Sequence, residues 1–418
     1  MAHPQANWPG IVSGELRYDS KIMETLSTMK NRIFLPILIL ILLGACSPDT
    51  PGGPLPTETI AASPTSAVPT GTPTPEPSPT PPYPLEGYGP GGFPANVNPL
   101  TGLVPADPAL LDRRPMMVKV SNLPRTVRPQ WGLSLADLVF EYYTEEGTTR
   151  FAAIFYGNDA AIVGPIRSAR FMDAHLVRGY KAAFAFGSAY DKVIERLYNA
   201  EFYDQLFIEG TSSPMTRYDP NGMNHLVIDT ADLSAAMSAR ATGNARQNLD
   251  GMLFQADAPA GSLAGSGSGA TLVVRFSGSI YNRWDFDPAS GRYLRFVDET
   301  DDFTGGLGEV YTQASDRLTD AALACDNVVV LFALYELYNE NPEVRDVQLV
   351  GSGPAYLFRD GRAYQLTWMR DAFSVVTLVG PDGAPFPFKP GTTWFEVIGS
   401  RSTVEEGDPG WRFVHHMP

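Results

Sequence analysis

A short arginine-bearing segment has the residue types and spacing that favour binding of an anion. Arg167-Ser168-Ala169-Arg170 follows Gly164-Pro165-Ile166 and opens a stretch with helical periodicity. A helix N-terminus offers unpaired backbone N–H groups, and guanidinium groups bind carboxylate or phosphate bidentately. Other arginines that could join this ligand site are Arg125, Arg128 and Arg150. In the competing interpretation Ser168 only caps the helix, and the arginines pair with carboxylates of the fold.

A group of carboxylates offers a different chemistry, general acid–base catalysis. Asp137, Glu141, Glu145 and Glu146 lie close together in the sequence, and glycan hydrolysis requires two carboxyl groups at a defined separation. Glu141 or Glu146, acting with His225, would make the protein a cell-wall hydrolase. Because spacing in sequence does not determine separation in space, solvated or arginine-paired carboxylates are the simpler explanation. The sequence therefore favours a binding protein, assigns no catalytic residue and leaves an enzyme as the alternative.

No pattern in the sequence predicts a metal or a cofactor. His175 and His225 lack the cysteine neighbours of a zinc signature. Phosphate-loop, dinucleotide-binding and calcium-loop patterns are absent from the sequence. Cys325, the only cysteine besides Cys46, lies in an alanine-rich stretch and is expected to be a small buried residue.

The residues before Cys46 have the features of a bacterial secretion signal. Basic residues precede an apolar run, Ile33 to Leu43, and Leu43-Gly44-Ala45-Cys46 resembles the lipobox, in which the cysteine becomes the lipidated first residue. The apolar run is too short for a spanning helix, which needs about 20 residues. We therefore predict a signal peptide over 29–45 and acylation of Cys46, for example with palmitate. Residues 1–28 are expected to precede the true start.

The predicted cellular location and the net charge of the protein limit its possible binding partners. A lipid on Cys46 would hold the protein on the extracytoplasmic face of the cell membrane. The net charge of −15 disfavours nucleic acid, which needs a positive footprint. The remaining candidates are a cell-wall glycan or peptide, or another envelope protein, for which the chain would serve as a scaffold.

Composition divides the rest of the chain. Fifteen of the 37 prolines lie between residues 48 and 94, so 46–95 is predicted to be a disordered Pro/Thr-rich stalk that carries the lipidated cysteine. Two domains are expected, over 96–254 and 271–400, separated by a Gly/Ser linker over 255–270. Residues 401–418 are expected to be a tail.

Apolar periodicity predicts an α/β domain before the linker and a β-rich domain after it, α+β overall. In the first domain we predict strands over 116–120, 138–143, 150–156 and 184–186, and helices over 168–180, 188–198 and 231–240. In the second we predict strands over 271–276, 279–286, 292–297, 328–332, 356–358, 362–368 and 392–398, and one helix near 318–323. Asp360-Gly361 is typical of a hairpin turn.

Several motifs together resemble the YerB-like bacterial lipoproteins, a family whose domains have no assigned function. The matching residues are Asn98-Pro99-Leu100-Thr101-Gly102-Leu103, Arg128-Pro129-Gln130, Gly132-Leu133-Ser134, Ala136-Asp137, Glu146-Gly147, Thr149-Arg150-Phe151 and Val163 to Arg170, then Tyr356, Asp360-Gly361, Trp368, Pro390-Gly391 and Thr393-Trp394. The resemblance covers nearly all of 96–400 and implies a two-domain lipoprotein. It implies no reaction, substrate or catalytic residue.

Overall fold

The computed structural model describes residues 83–210, 213–220, 222, 225–258, 268–407 and 410–417. The predicted signal peptide, the lipidation site Cys46, the leading segment 1–28 and most of the predicted stalk lie outside these residues. Most of the predicted Gly/Ser linker also lies outside them. The described residues belong to one structural unit of the chain.

The first half contains all three α-helices of the described residues, together with short strands. Its elements are β1 (Met116–Ser121), β2 (Leu138–Tyr143), β3 (Thr149–Phe155), α1 (Phe171–Tyr180), β4 (Ala183–Phe186), α2 (Asp191–Tyr198), β5 (Leu206–Ile208), β6 (Thr216–Arg217), β7 (Leu226–Val227) and α3 (Thr230–Ser238). Short 3₁₀ helices occupy Pro108–Asp112, Arg125–Val127, Leu133–Leu135 and Tyr203–Gln205.

The second half is built from strands. They are β8 (Thr271–Arg275), β9 (Tyr281–Asp287), β10 (Arg292–Asp298), β11 (Tyr311–Gln313), β12 (Ala324–Cys325), β13 (Asn327–Asn339), β14 (Val344–Gln348), β15 (Gly351–Arg359), β16 (Arg362–Arg370), β17 (Thr377–Val379), β18 (Thr393–Gly399), β19 (Thr403–Glu406) and β20 (Trp411–Val414). With three α-helices, all before residue 240, the described part of the chain is mostly β.

An eleven-stranded sheet contains strands from both halves of the chain. Its order is β17-β16-β15-β13-β18-β2-β3-β1-β4-β5, with β14 added to β13. The halves meet where β18 pairs with β2 in parallel, from Thr393 opposite Leu138 to Val397 opposite Tyr142. The boundary predicted at 255–270 therefore divides the sequence, whereas the sheet runs across it.

A seven-stranded sheet lies against this junction. Its order is β11-β10-β9-β8-β20-β19, with β12 paired to β10. Arg295 of β10 and Trp284 of β9 both reach Glu396 of β18 through side-chain hydrogen bonds. The contact fixes one face of the second sheet on the seam between β2 and β18.

The end of the chain is not the tail that its position suggested. β19 and β20 form an antiparallel pair, and β20 pairs in parallel with β8, with Phe413 opposite Val274. Phe413 is fully buried. Apolar residues alternate with polar ones over 411–414, which is the pattern of a half-buried strand. Residues 403–414 therefore belong to the seven-stranded sheet.

Two local predictions fail for identifiable reasons. Residues 318–323 form turns and a bridge instead of a helix, because the Asp316 carboxylate accepts hydrogen bonds from the backbone N–H of Leu318 and also of Gly132. Ser168 does not cap a helix. Its hydroxyl lies 2.8 Å from the Ser188 hydroxyl, and the two hydrogen-bond to each other.

The last part of the predicted stalk is attached to the fold. Tyr88 forms a β-bridge with Phe254, and its backbone N–H donates to the Phe254 carbonyl at 2.9 Å. The Phe93 ring packs against the Phe254 ring. Residues 83–95 therefore belong to the folded body, because their aromatic side chains have a partner surface there. Among the described residues, no helix combines the length and apolarity that crossing a membrane requires.

Candidate ligand pocket

A cavity lies between the 3₁₀ helix Arg125–Val127 and strands β10 and β11. Its volume is about 410 Å³, within the range of small-molecule sites. It is lined by Asn122, Arg125, Arg128, Pro129, Gln130, Phe151, Arg295, Val297, Asp298, Glu299, Thr312, Gln313, Ala314, Ser315 and Leu323. The lining therefore draws on both halves of the chain. We call it the β10 pocket.

Two predicted site residues, Arg125 and Arg128, lie in this pocket and hold one carboxylate. Arg125 Nε donates to Asp298 Oδ2 at 2.7 Å, and Arg128 donates to both Asp298 oxygens at 2.9 and 3.2 Å. Arg125 also pairs with Asp301 at 2.9 Å. Burial raises the pKa of Asp298 although both arginines act to lower it. The two guanidinium charges are thus balanced by two carboxylates, which leaves little attraction for an anionic ligand.

The floor of the pocket is Arg295, which is almost completely buried. Its guanidinium donates to Glu141 Oε2 at 2.6 Å and to Glu396 Oε1 at 3.2 Å. Glu141 and Glu396 lie directly opposite each other on β2 and β18. The parallel pairing of these strands therefore places two buried carboxyl groups side by side, an arrangement that is unfavourable without a compensating cation.

The hydrogen bonds distinguish the two carboxyl groups. Glu141 accepts from the Thr149 hydroxyl at 2.7 Å and from Asn122 Nδ2 at 3.1 Å, in addition to Arg295. These partners suit an ionised carboxylate, which only accepts. Glu396 accepts from Trp284 Nε1 at 2.9 Å, but its Oε2 has no hydrogen-bond partner among the described residues.

The surroundings of Glu396 favour its protonated form. Burial, followed by the neighbouring Glu141, raises the pKa of Glu396 to about 8. The side-chain amide of Asn282 lies next to Glu396, and its Oδ1 is another buried acceptor that has no partner among the described residues. A protonated Glu396 leaves Arg295 with a single ionised carboxylate, so the buried cluster carries no net charge.

The other predicted arginines lie apart from this pocket. Arg150 Nη2 pairs with Glu145 at 2.5 Å, and Arg170 Nε donates to the other oxygen of Glu145 at 2.7 Å. Burial lowers the pKa of Arg150 to about 9. The single arginine cluster that the sequence suggested is therefore two clusters. Four of its arginines pair with carboxylates of the fold, as the competing interpretation had it.

Arg167 and Ser168 border the second cluster. Arg167 Nε is buried and has no hydrogen-bond partner among the described residues, and burial lowers the pKa of this guanidinium. Ser168 lines a cavity of about 280 Å³ together with Glu145, Arg170 and Glu343. The two carboxylates of this lining, Glu145 and Glu343, lie beside Arg170.

The predicted acid–base residues are not brought together. Glu141 is fully buried under Arg295. Glu146 is exposed in the β2–β3 turn, where its backbone N–H donates to Glu343. His225 pairs with Asp219 at 3.2 Å in the β6–β7 hairpin region. The structure therefore gives no support to a hydrolase that uses Glu141 or Glu146 with His225.

The predicted cysteine environment matches the structure. Cys325 is buried on β12, and burial raises the pKa of its thiol. His175 is also largely buried, and burial lowers its pKa to about 4. Neither group has the exposure that a nucleophile or a general base requires.

Three residues that organise the site, Arg295, Asp298 and Glu396, were not predicted from the sequence. A usable signal existed, because Arg295 and Glu396 each interrupt a strand whose neighbours are apolar or aromatic. A similar interruption at Lys119 marks a second buried group, in which Lys119 Nζ and the Tyr142 hydroxyl bond to Asp173 at 3.1 and 2.6 Å. Burial lowers the pKa of Lys119 to about 7.

Comparison with known proteins gives consistent matches. Two family models match, described as "Protein of unknown function (DUF3048) N-terminal domain" over residues 100–243 and as the corresponding C-terminal domain over 272–395. The Bacillus subtilis (strain 168) protein named "Putative lipoprotein YerB" is 28% identical over 309 residues, which are 72% of this chain and 85% of that protein. The crystal structure of YerB protein from B. subtilis matches with a TM-score of 0.60 and 25% identity, over 72% of this chain and 96% of that one.

Proposed function

Because this chain belongs to the DUF3048 family of two-domain proteins and resembles a B. subtilis protein named as a lipoprotein, we propose that it is a lipid-anchored protein that binds a component of the cell envelope in the β10 pocket. The lipid is carried by Cys46, and the folded body lies on the extracytoplasmic side of the membrane. Support for the anchor comes from the lipobox-like sequence 43–46 and from the name of the relative.

The observation that carries the binding function is the β10 pocket itself. It combines a volume of about 410 Å³ with a rigid floor, since Arg295 is fixed by two carboxylates and stacks 4.3 Å from the Trp394 ring. The polar wall residues are positioned by ion pairs to Asp298. A preformed cavity with an aromatic side and fixed polar groups is the usual form of a ligand site.

The arginines act in this proposal as walls of the pocket, and they do not attract a charged ligand. Arg125 and Arg128 already donate to Asp298, and Glu299 adds a further acidic group to the lining. An anionic ligand would have to displace these contacts or lie beside uncompensated carboxylates. The proposed ligand is therefore polar and uncharged.

Replacing Cys46 with serine tests the anchor. We expect the full-length wild-type chain to incorporate labelled palmitate and to fractionate with membranes, and Cys46→Ser to lose the label and leave the membrane fraction, because only a thiol can be acylated in this way. Cys325→Ala is the matched control and should behave as wild type, since Cys325 is buried. An unlabelled wild-type chain, or a Cys46→Ser variant that remains membrane-bound, would contradict the proposal.

Replacing Gln313 with tryptophan tests the pocket. Gln313 is exposed and lines the β10 pocket, so an indole there should fill the entrance without touching the buried core. We expect the detergent-solubilised full-length chain to sediment with purified peptidoglycan sacculi, and the variant to bind about tenfold more weakly or worse, a loss of about 1.4 kcal/mol. Gln365→Trp, at an exposed site on β16 outside the pocket, is the control. Equal binding by the two variants would rule out the pocket as the binding site.

A further inference from the structure

A row of side chains in mutual contact lies next to the β10 pocket. The Arg317 guanidinium lies 4.2 Å from the centre of the Trp131 ring. The Trp131 and Tyr218 rings are 4.9 Å apart in an edge-on arrangement, and the tilted Tyr218 and His225 rings are 4.5 Å apart. Tyr218 is 47% exposed, and Trp131 and His225 are partly exposed. We call these four side chains the aromatic row, and three of them carry rings.

The aromatic row is continuous with the pocket. The backbone N–H of Arg317 donates to the Gln130 carbonyl at 2.8 Å, and its guanidinium donates to the Arg128 carbonyl at 3.3 Å. Both Arg128 and Gln130 line the β10 pocket. Trp131 is the next residue along the chain, so the row begins where the wall of the pocket ends.

The chemistry of the two parts selects one class of ligand. The pocket arginines are balanced by carboxylates, so the site gains little from an anion. The exposed polar groups at the β11 side, Thr312 and Gln313, are uncharged donors and acceptors. Aromatic faces carry partial negative charge and offer a large rigid surface, which suits the C–H faces of sugar rings. A nucleic acid would offer stacking bases as well, but its phosphates would meet a protein of net charge −15.

We propose that Trp131 and Tyr218 extend the β10 pocket into a cleft that holds successive sugar units of an uncharged glycan chain. This inference rests on the proposed function, because it assigns a ligand class to the same pocket. The pocket binds one end of the glycan through hydrogen bonds, and the aromatic row binds the following units by stacking. Each sugar unit that lies on a ring adds buried contact area, so affinity should rise with the length of the chain.

Calorimetry with oligomers of β-1,4-linked N-acetylglucosamine tests this inference on the full-length protein. We expect the pentasaccharide to bind about tenfold or more tightly than the disaccharide. Tyr218→Ala should abolish this length dependence, whereas Tyr218→Phe should preserve it because the ring remains. Tyr203→Ala, which removes a tyrosine that is 57% exposed elsewhere on the surface, is the control.

The possible results separate the inference from the function on which it rests. Equal affinity for both oligomers, or a length dependence that Tyr218→Ala leaves intact, would overturn the role of the aromatic row. Binding of sacculi that Gln313→Trp blocks, without binding of either oligomer, would overturn the ligand class and keep the pocket. If neither sacculi nor oligomers bind, the proposed function fails together with the inference.

Discussion

Replacing Arg295 with methionine should lower the free energy of unfolding by about 3–5 kcal/mol, because removing one partner of a buried ion pair leaves uncompensated charge. Arg295 is the cation between Glu141 and Glu396, and all three side chains are buried. Methionine keeps much of the volume and removes only the charge and the donors. Urea unfolding of the purified protein measures the change.

Two further variants show whether the effect has this cause. Arg283→Met removes a cation that pairs with Asp285 where both side chains are about one-third exposed, and it should cost no more than about 1 kcal/mol. Adding Glu141→Gln and Glu396→Gln to Arg295→Met should recover part of the lost stability, because the unpaired carboxyl groups are then gone. If Arg295→Met and Arg283→Met lowered the free energy of unfolding by similar amounts, the buried cluster would contribute no more to stability than an exposed ion pair.

The stability of the wild-type protein should fall as the pH rises toward 8, and Glu396 should be a main cause. Its pKa is near 4.5 in the unfolded chain and is raised to about 8 in the fold. Between these values the folded state holds a proton that the unfolded state has lost, so the free energy of unfolding decreases by about 1.4 kcal/mol per pH unit. Above the folded pKa the decrease is complete, and two ionised carboxyl groups then share Arg295.

Other buried groups contribute to the same profile. Asp137, whose pKa burial raises to about 6, should add to the decrease at lower pH. Lys119 acts in the opposite direction, because its folded pKa of about 7 lies below its usual value and stability should rise between about 7 and 10.5. A difference measurement is therefore needed to isolate Glu396.

Unfolding curves of wild type and Glu396→Gln at several pH values provide that difference. The variant should lack the decrease assigned to Glu396 and should be the more stable protein at pH 8 and above, since its amide is neutral at every pH. Glu405→Gln, on the exposed edge strand β19, should follow the wild-type profile. Parallel profiles for wild type and Glu396→Gln would show that Glu396 is ionised throughout.

Most elements of the fold could be predicted from local pattern. The strands β1 to β4 and the helices α1 to α3 follow from apolar periodicity, and the Asp360-Gly361 turn follows from residues that accept positive φ, here 54° and 71°. The pairing of β2 with β18 could not be predicted, because it joins residues about 255 positions apart and parallel neighbours leave no turn signal in the sequence.

The candidate site shows the same division between local and long-range information. Arg125 and Arg128 were recognised as site residues, but their role depends on Asp298, which only the folded chain brings to them. Glu141 was recognised as a carboxylate of interest, and its partners Arg295 and Glu396 arrive from β10 and β18. The residue type identifies a candidate charged side chain. Its ion-pair partners in the folded chain determine whether it can bind a ligand or take part in catalysis.

The position of β18 in the sheet determines when this protein can finish folding. β18 lies between β2 and β13 and pairs with both in parallel, yet it is encoded only at residues 393–399. During synthesis the strands of the first half therefore emerge with the edge of β2 uncovered, and that edge stays open until nearly the whole polypeptide has been made. For the lipid-anchored protein that we propose, this connectivity would keep the chain open while it crosses the membrane.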